Sequence, residues 1–107
     1  MAFQMTVVSR KLRAPEEVRA LIRHLHPGLK KKVSAALQVI LSDPDHGTAL
    51  RDELLGLRSV RVGRLRIIYR VASASIDLVA LGPRRAIYEE TVRLLRRQSR
   101  EGEGSKR

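Results

Sequence analysis

RSVRVGRLRIIYR, residues 58–70, reads as two short β-strands around a tight turn. Five of its thirteen positions are arginine and none is lysine. Gly63-Arg64 has the two-residue form with glycine first, the signature of a type II′ hairpin turn. That turn fixes the register: Val62 pairs with Leu65, Arg61 with Arg66 and Val60 with Ile67. Side chains alternate between faces along a strand, so Val60, Val62, Leu65, Ile67, Tyr69 and Val71 share a core face. Arg61 and Arg66 stand opposite each other on the other face, Arg70 continues along it, and Arg64 sits in the turn. Facing like charges cost about 0.2–1 kcal/mol, and neither strand carries an acidic residue. The pair reads either as two arginines splayed into water or as a place where an anion normally sits. A guanidinium fork binds phosphate through two parallel hydrogen bonds, which favours arginine over lysine for the second role.

Outward from the hairpin, IDLVAL (76–81) is a third strand, reached through the ASAS turn (72–75) and stopped by Gly82-Pro83. AIYEETVRLLRR (86–97) is a closing helix with Ile87, Thr91, Leu94 and Leu95 inside. Before the hairpin, FQMTVV (3–8) alternates as a strand. PEEVRALIRHL (15–25) is a helix with Val18, Leu21, Ile22 and Leu25 on one face. A second helix starts near Pro27 with Leu29, Val33, Ala36, Leu37, Ile40 and Leu41 as its stripe, and SDPDHG (42–47) ends it. Residues 48–57 form a packed connector with about one helical turn. The order is β-α-α-β-β-β-α: an α+β domain in which an antiparallel helical hairpin packs on an antiparallel sheet and a C-terminal helix closes the fold. A single domain over residues 1–98 is expected, with a polar, Gly-rich, disordered tail at 99–107.

The chain has 107 residues, no cysteine and a formal charge of +11. Disulfides, thiol catalysis and Cys-type zinc sites are thereby excluded. No apolar run approaches a membrane span and the N-terminal MAFQMTVVSRK lacks a signal-type apolar stretch, so a cytoplasmic, non-membrane protein is expected. The charge is uneven: residues 1–57 carry nine Lys/Arg against six Asp/Glu, residues 58–107 thirteen against five. A basic half of this kind suits a polyanion or an acidic protein partner. His24, His26 and His46 have no ligand-like spacing and read as surface residues. Lys30, Lys31 and Lys32 read either as a solvated helix face or as an RNA contact. Tyr69 belongs to the core by its register. Tyr88, at a helix start, reads either as a packing residue or as a functional one.

With its element order and the string LRSVRVGRLRIIYRV (57–71), the chain resembles the RelE/ParE-type bacterial toxins. GPRRAIY (82–88) is similar to the family's closing segment, a glycine, a basic pair and a tyrosine. The SDPDHG turn and the Leu-Gly-Leu at 55–57 also fit, so the resemblance covers roughly residues 3–97. It implies the toxin half of a type II toxin–antitoxin system with an acidic antitoxin as partner. RelE-type members cleave messenger RNA in the ribosomal decoding site; ParE-type members poison DNA gyrase. The basic residues on the two hairpin strands and the closing tyrosine favour the RelE branch. The resemblance then places Arg61, Arg66, Arg84 and Tyr88 in catalysis, and Arg58, Arg64, Arg70, Arg85 and Lys30–Lys32 in RNA binding. Pro83 stands where many members have His or Lys, and no histidine or glutamate is evident as a base.

Such a site implies metal-free and cofactor-free cleavage, in which the RNA 2′-OH attacks its own phosphate. Arginine stabilises the phosphorane but is a poor base. The ribosome, by aligning the RNA, supplies what the acid–base groups lack. A gyrase poison and a non-toxic basic RNA-binding protein are the alternatives.

Overall fold

The computed structural model of the chain describes residues 10–105. The strand expected at 3–8 lies outside them. In chain order the elements are β1 (Lys11–Arg13), α1 (Glu16–Arg23), α2 (Pro27–Ser42), a 3-10 turn (Pro44–His46), β2 (Thr48–Ala49), a second 3-10 turn (Asp52–Leu54), β3 (Arg58–Val62), β4 (Leu65–Val71), β5 (Ser75–Pro83) and α3 (Ile87–Ser105). The strands form one sheet in the order β1-β5-β4-β3-β2; β1 runs parallel to β5 and the other pairs are antiparallel. This is the α+β arrangement expected, with two short edge strands, β1 and β2, that no alternating pattern announced.

Each helix of the hairpin buries one stripe. Pro27 opens α2, and the His26 imidazole caps it by accepting from the Gly28 N–H through Nδ1 at 3.2 Å. Val33, Leu37 and Ile40 of α2 and Val18 of α1 meet Val60, Val62, Ile67, Tyr69, Ile76, Leu78 and Leu81 of the sheet in the main core. Leu21 departs from expectation: it is 49% exposed, because the short α1 inserts Val18 and lays Ile22 and Leu25 against the core, leaving the i+3 position at the margin.

The opposite sheet face is covered too. Ile68 is fully buried there with Leu54, Leu57 and Ile87, and Val79, Ala80, Tyr88, Val92 and Leu95 pack around them. An irregularity in the β4–β5 pairing makes this possible. Ile68 faces Ala80 but Tyr69 faces Leu78, so Val79 is an extra residue on β5. Past this bulge Leu81 returns to the main core, while Gly82 lies on the α3 side, directly across from Arg66. A methyl group there would come within 3.0 Å of Ile87 Cδ1, so the bare glycine lets the start of α3 settle on the sheet. Ile87 and Thr91 are buried as anticipated. The helix continues to Ser105 through most of the segment expected as a tail, since Gly102 and Gly104 cost only about 1 kcal/mol each and do not forbid helix. Arg96 pairs with Glu53 and ties α3 to the second 3-10 turn.

Tyr69 is a core residue, as its register requires, and it also organises a turn. Its buried hydroxyl donates to the Pro44 carbonyl at 2.8 Å and accepts from the Gly47 N–H at 2.9 Å. Gly47 is packed so tightly that a Cβ would lie 2.6 Å from that hydroxyl. Tyr69→Phe strands both backbone groups and should cost about 1–3 kcal/mol in thermal or denaturant unfolding. Burial pushes the Tyr69 hydroxyl above its ordinary value of 10.0. The unfolded tyrosine therefore ionises first as pH rises, and the stability it contributes is full below about pH 10 and lost above it. Between pH 9 and 11 wild type should lose more melting temperature than Tyr69→Phe, measured in parallel; equal losses would mean that the hydroxyl is not sequestered.

Candidate functional site

The β3–β4 hairpin has the register its turn implies: Val62 pairs with Leu65, Arg61 with Arg66, Val60 with Ile67. Gly63 has φ +61° while Arg64 does not enter positive φ, as a type II′ turn requires. The two facing arginines do not share one environment. Arg61 is exposed. Arg66 is half-buried and leans along the sheet, away from Arg61, to donate from Nη1 to the Ser59 hydroxyl at 3.2 Å. Ser59, on the same face of β3, is 2% exposed. Its Oγ also lies 3.2 Å from the Tyr88 hydroxyl, delivered by the first turn of α3. The Arg66 Nε is buried and has no hydrogen-bond partner among the described residues.

The rest of the site comes from the end of β5. The Arg84 N–H donates to the Arg64 carbonyl at 3.1 Å, which sets Arg84 and Arg85 beside the hairpin turn. Arg61, Arg64, Arg66, Arg84 and Arg85 thus crowd one end of the sheet. Among the described residues none of the five is in an ion pair; the pairs present are elsewhere, at Arg13–Asp77, Arg19–Glu16, Arg23–Glu16, Arg58–Asp45, Arg93–Glu89 and Arg96–Glu53. Uncompensated guanidinium groups around a hydroxyl make an electropositive surface for phosphate. Glu90 stands at its edge: its Oε2 is 4.0 Å from where a Cβ on Gly82 would be, above the position facing Arg66. The sequence reading placed no carboxylate there, because only the bulge at Val79 brings Gly82 and α3 to this face. It also missed Ser59, whose sole sequence signal is a small polar residue on the arginine face of a strand.

Three groups of sequence candidates lie apart. Arg58 faces the other way and clamps the 43–47 turn, donating to the Gly47 carbonyl at 2.6 Å and the Asp45 carbonyl at 3.2 Å, with the Asp45 carboxylate at 3.5 Å. Arg70 is four residues further along β4 than Arg66, about 13 Å away. It lines a separate cleft of about 400 Å³ with Arg13, Asp77, Leu95 and Gln98. Lys30, Lys31 and Lys32 belong to α2, on the opposite sheet face from Tyr88. The start of α2 does border the turn, with Leu29 Cδ1 3.9 Å from a Cβ built on Gly63. Among the described residues no three His, Cys, Asp or Glu side chains could share a metal ion, and no helix is long and apolar enough to cross a membrane.

This geometry separates two arginines that look alike in sequence. Arg61→Ala should change stability by no more than about 0.5 kcal/mol. It should weaken RNA binding and lower the slope of log K against log salt by about 1. Arg58→Ala should do the reverse, lowering the melting temperature while leaving the salt slope unchanged. Thermal melts and RNA titrations at several salt concentrations on both variants check this.

The family model for the ParE toxin of the type II toxin-antitoxin system parDE matches residues 8–88. Among solved structures, the RelBE2 toxin–antitoxin complex from Mycobacterium tuberculosis contains a chain 26% identical, with TM-score 0.62 over 73% of this chain and 94% of that one. A mutant of the E. coli toxin RelE in the free state is 17% identical, with TM-score 0.64 over 78% and 90%. A chain of the archaeal RelE–RelB complex from Pyrococcus horikoshii is 19% identical, with TM-score 0.59 over 72% and 97%. No curated protein matches the sequence. With its fold shared with RelE and most of its length matched by the ParE toxin model, the chain belongs to the RelE/ParE family of toxins of type II toxin–antitoxin systems.

Proposed function

We propose that this toxin is a metal-independent endoribonuclease that cuts messenger RNA on the ribosome. The observation that carries this reading is the contact of Arg66 and Tyr88 through Ser59, at 3.2 Å on each side, inside a group of arginines without acidic partners. Cleavage by an internal 2′-OH needs in-line alignment, stabilisation of the added phosphorane charge, and proton transfer. Arg61, Arg66 and Arg84 face the charge. Tyr88 supplies the hydroxyl nearest to a proton role, and Arg64, Arg85 and the lysines at the start of α2 hold flanking phosphates. Nothing here resembles a strong base held against the nucleophile, and positioning by the ribosome fills that gap. The cytoplasm is the matching location.

The partner in this reading is an acidic antitoxin. Structures of relatives show RelE toxins held by RelB, and carboxylates are the natural cover for five unpaired arginines. On α3, Arg97 is a further exposed cation, while the exposed Arg93 and Arg96 pair with Glu89 and Glu53. Charge complementarity of this kind speeds association at low salt.

A second reading, a DNA gyrase poison, is favoured by one observation: the family model matched is that of the ParE toxin. Inducing the toxin and mapping messenger RNA ends on ribosomes, alongside a gyrase supercoiling assay, separates the two. The nuclease reading expects new ribosome-dependent ends and unimpaired gyrase. It also expects cleavage to survive EDTA, with ribosome integrity held constant, and to leave 2′,3′-cyclic phosphates; 3′-hydroxyl products would rule it out. Tyr88→Phe and Arg84→Ala should each abolish growth arrest yet co-purify with the antitoxin. If both stay fully toxic, the gyrase reading replaces this one.

A further inference from the structure

We infer that Ser59 is a positioning residue that turns the proton of the Tyr88 hydroxyl outward, toward the leaving oxygen of the RNA. The inference rests on the nuclease reading above. Arg66 Nη1 can only donate, so the Ser59 oxygen accepts there. Ser59 is 2% exposed and its hydroxyl has one hydrogen to place. Among its described contacts, Tyr88 Oη at 3.2 Å is the acceptor within reach. Donation to Tyr88 satisfies that hydrogen, whereas accepting from Tyr88 as well would strand it in a dry site, at a cost buried hydroxyls avoid. The chain of donation therefore runs from Arg66 to Ser59 to Tyr88, and the Tyr88 hydrogen points away from Ser59. Tyr88 is only half-buried, so that hydrogen faces the accessible side of the site.

This direction assigns the chemistry. As the 2′-oxygen bonds to phosphorus, its proton leaves to water and the bond from phosphorus to the 5′-oxygen breaks. Tyr88 gives its proton to that 5′-oxygen, becomes a phenolate held by the Ser59 hydrogen, and regains a proton from water. Ser59 touches no substrate atom. Its effect passes through Tyr88 and through the fixed guanidinium of Arg66, and it explains why a serine occupies a buried position of β3, between Arg58 and Val60.

The test compares Ser59→Ala, Ser59→Thr, Tyr88→Phe and the Ser59→Ala/Tyr88→Phe double variant, all in complete ribosomal cleavage assays. Ser59→Ala should lower kcat about 10²-fold with KM little changed, the scale of a misplaced catalytic group. Ser59→Thr, which keeps the hydroxyl on a strand, should recover most of it. In the Tyr88→Phe background Ser59→Ala should cost nothing more; independent, multiplying losses would overturn the relay. A readout without activity accompanies these. The chain has two tyrosines, so the ¹³Cζ resonance of Tyr88 is assigned by elimination with Tyr69→Phe. It should move in Ser59→Ala and return in Ser59→Thr. An unmoved resonance means that no relay exists. If wild type cleaves no messenger RNA, the nuclease reading fails and Ser59's catalytic role falls with it, whatever the resonance shows about the contact.

Discussion

Two arginines facing each other across a β-hairpin are the constraint around which this structure is arranged. The type II′ turn at Gly63-Arg64 leaves Arg61 and Arg66 no choice of face. Their repulsion is relieved by asymmetry. Arg61 goes to solvent, and Arg66 folds back to a buried serine whose hydroxyl also meets that of a tyrosine from another element. That retreat requires a covered sheet face, and α3 provides it. The buried, unpartnered Nε of Arg66 shows that the guanidinium is held by packing rather than by full hydrogen bonding.

The second core is therefore part of the site and not only of the fold. Ile68, Leu54, Leu57 and Ile87 seat the beginning of α3, and Tyr88 follows Ile87 directly. The bulge at Val79 turns Gly82 toward this face, where the lack of a side chain lets Ile87 approach. A few local features thus decide where the tyrosine hydroxyl lies. The arginines on the rim, Arg61, Arg64, Arg84 and Arg85, are exposed and are not fixed in this way. The candidate site thus has a hydrogen-bonded centre of serine, arginine and tyrosine with exposed arginines around it.

Much of this was legible in the sequence because it follows from short-range rules. The hairpin register came from two turn residues, the main core from strand alternation and from the stripe of α2, and the core role of Tyr69 from parity alone. The family resemblance, carried by residues 57–71 and 82–88, agrees with the matched family model and with the solved relatives. What stayed hidden depends on breaks in periodicity. A bulge leaves no mark on the alternation of IDLVAL, so the second core and Glu90's place at the site were invisible. Ser59 is one small residue in a strand of valines and arginines. Arg58 and Arg70 carry the same charge as Arg61 and Arg66, yet one staples a turn and the other lines a distant cleft, which composition cannot distinguish.

The central claim is that the arginine–serine–tyrosine centre receives a phosphate of messenger RNA. The measurement that tests it most directly is the structure of the toxin on a ribosome whose messenger RNA carries a 2′-deoxy nucleotide at the cut site, so that the substrate persists. The scissile phosphate is predicted to lie within hydrogen-bond distance of Arg66 or Arg61, with the Tyr88 hydroxyl at the 5′-oxygen. A complex in which Tyr88 stays packed away from the RNA, or in which the toxin does not enter the decoding site at all, would contradict the account.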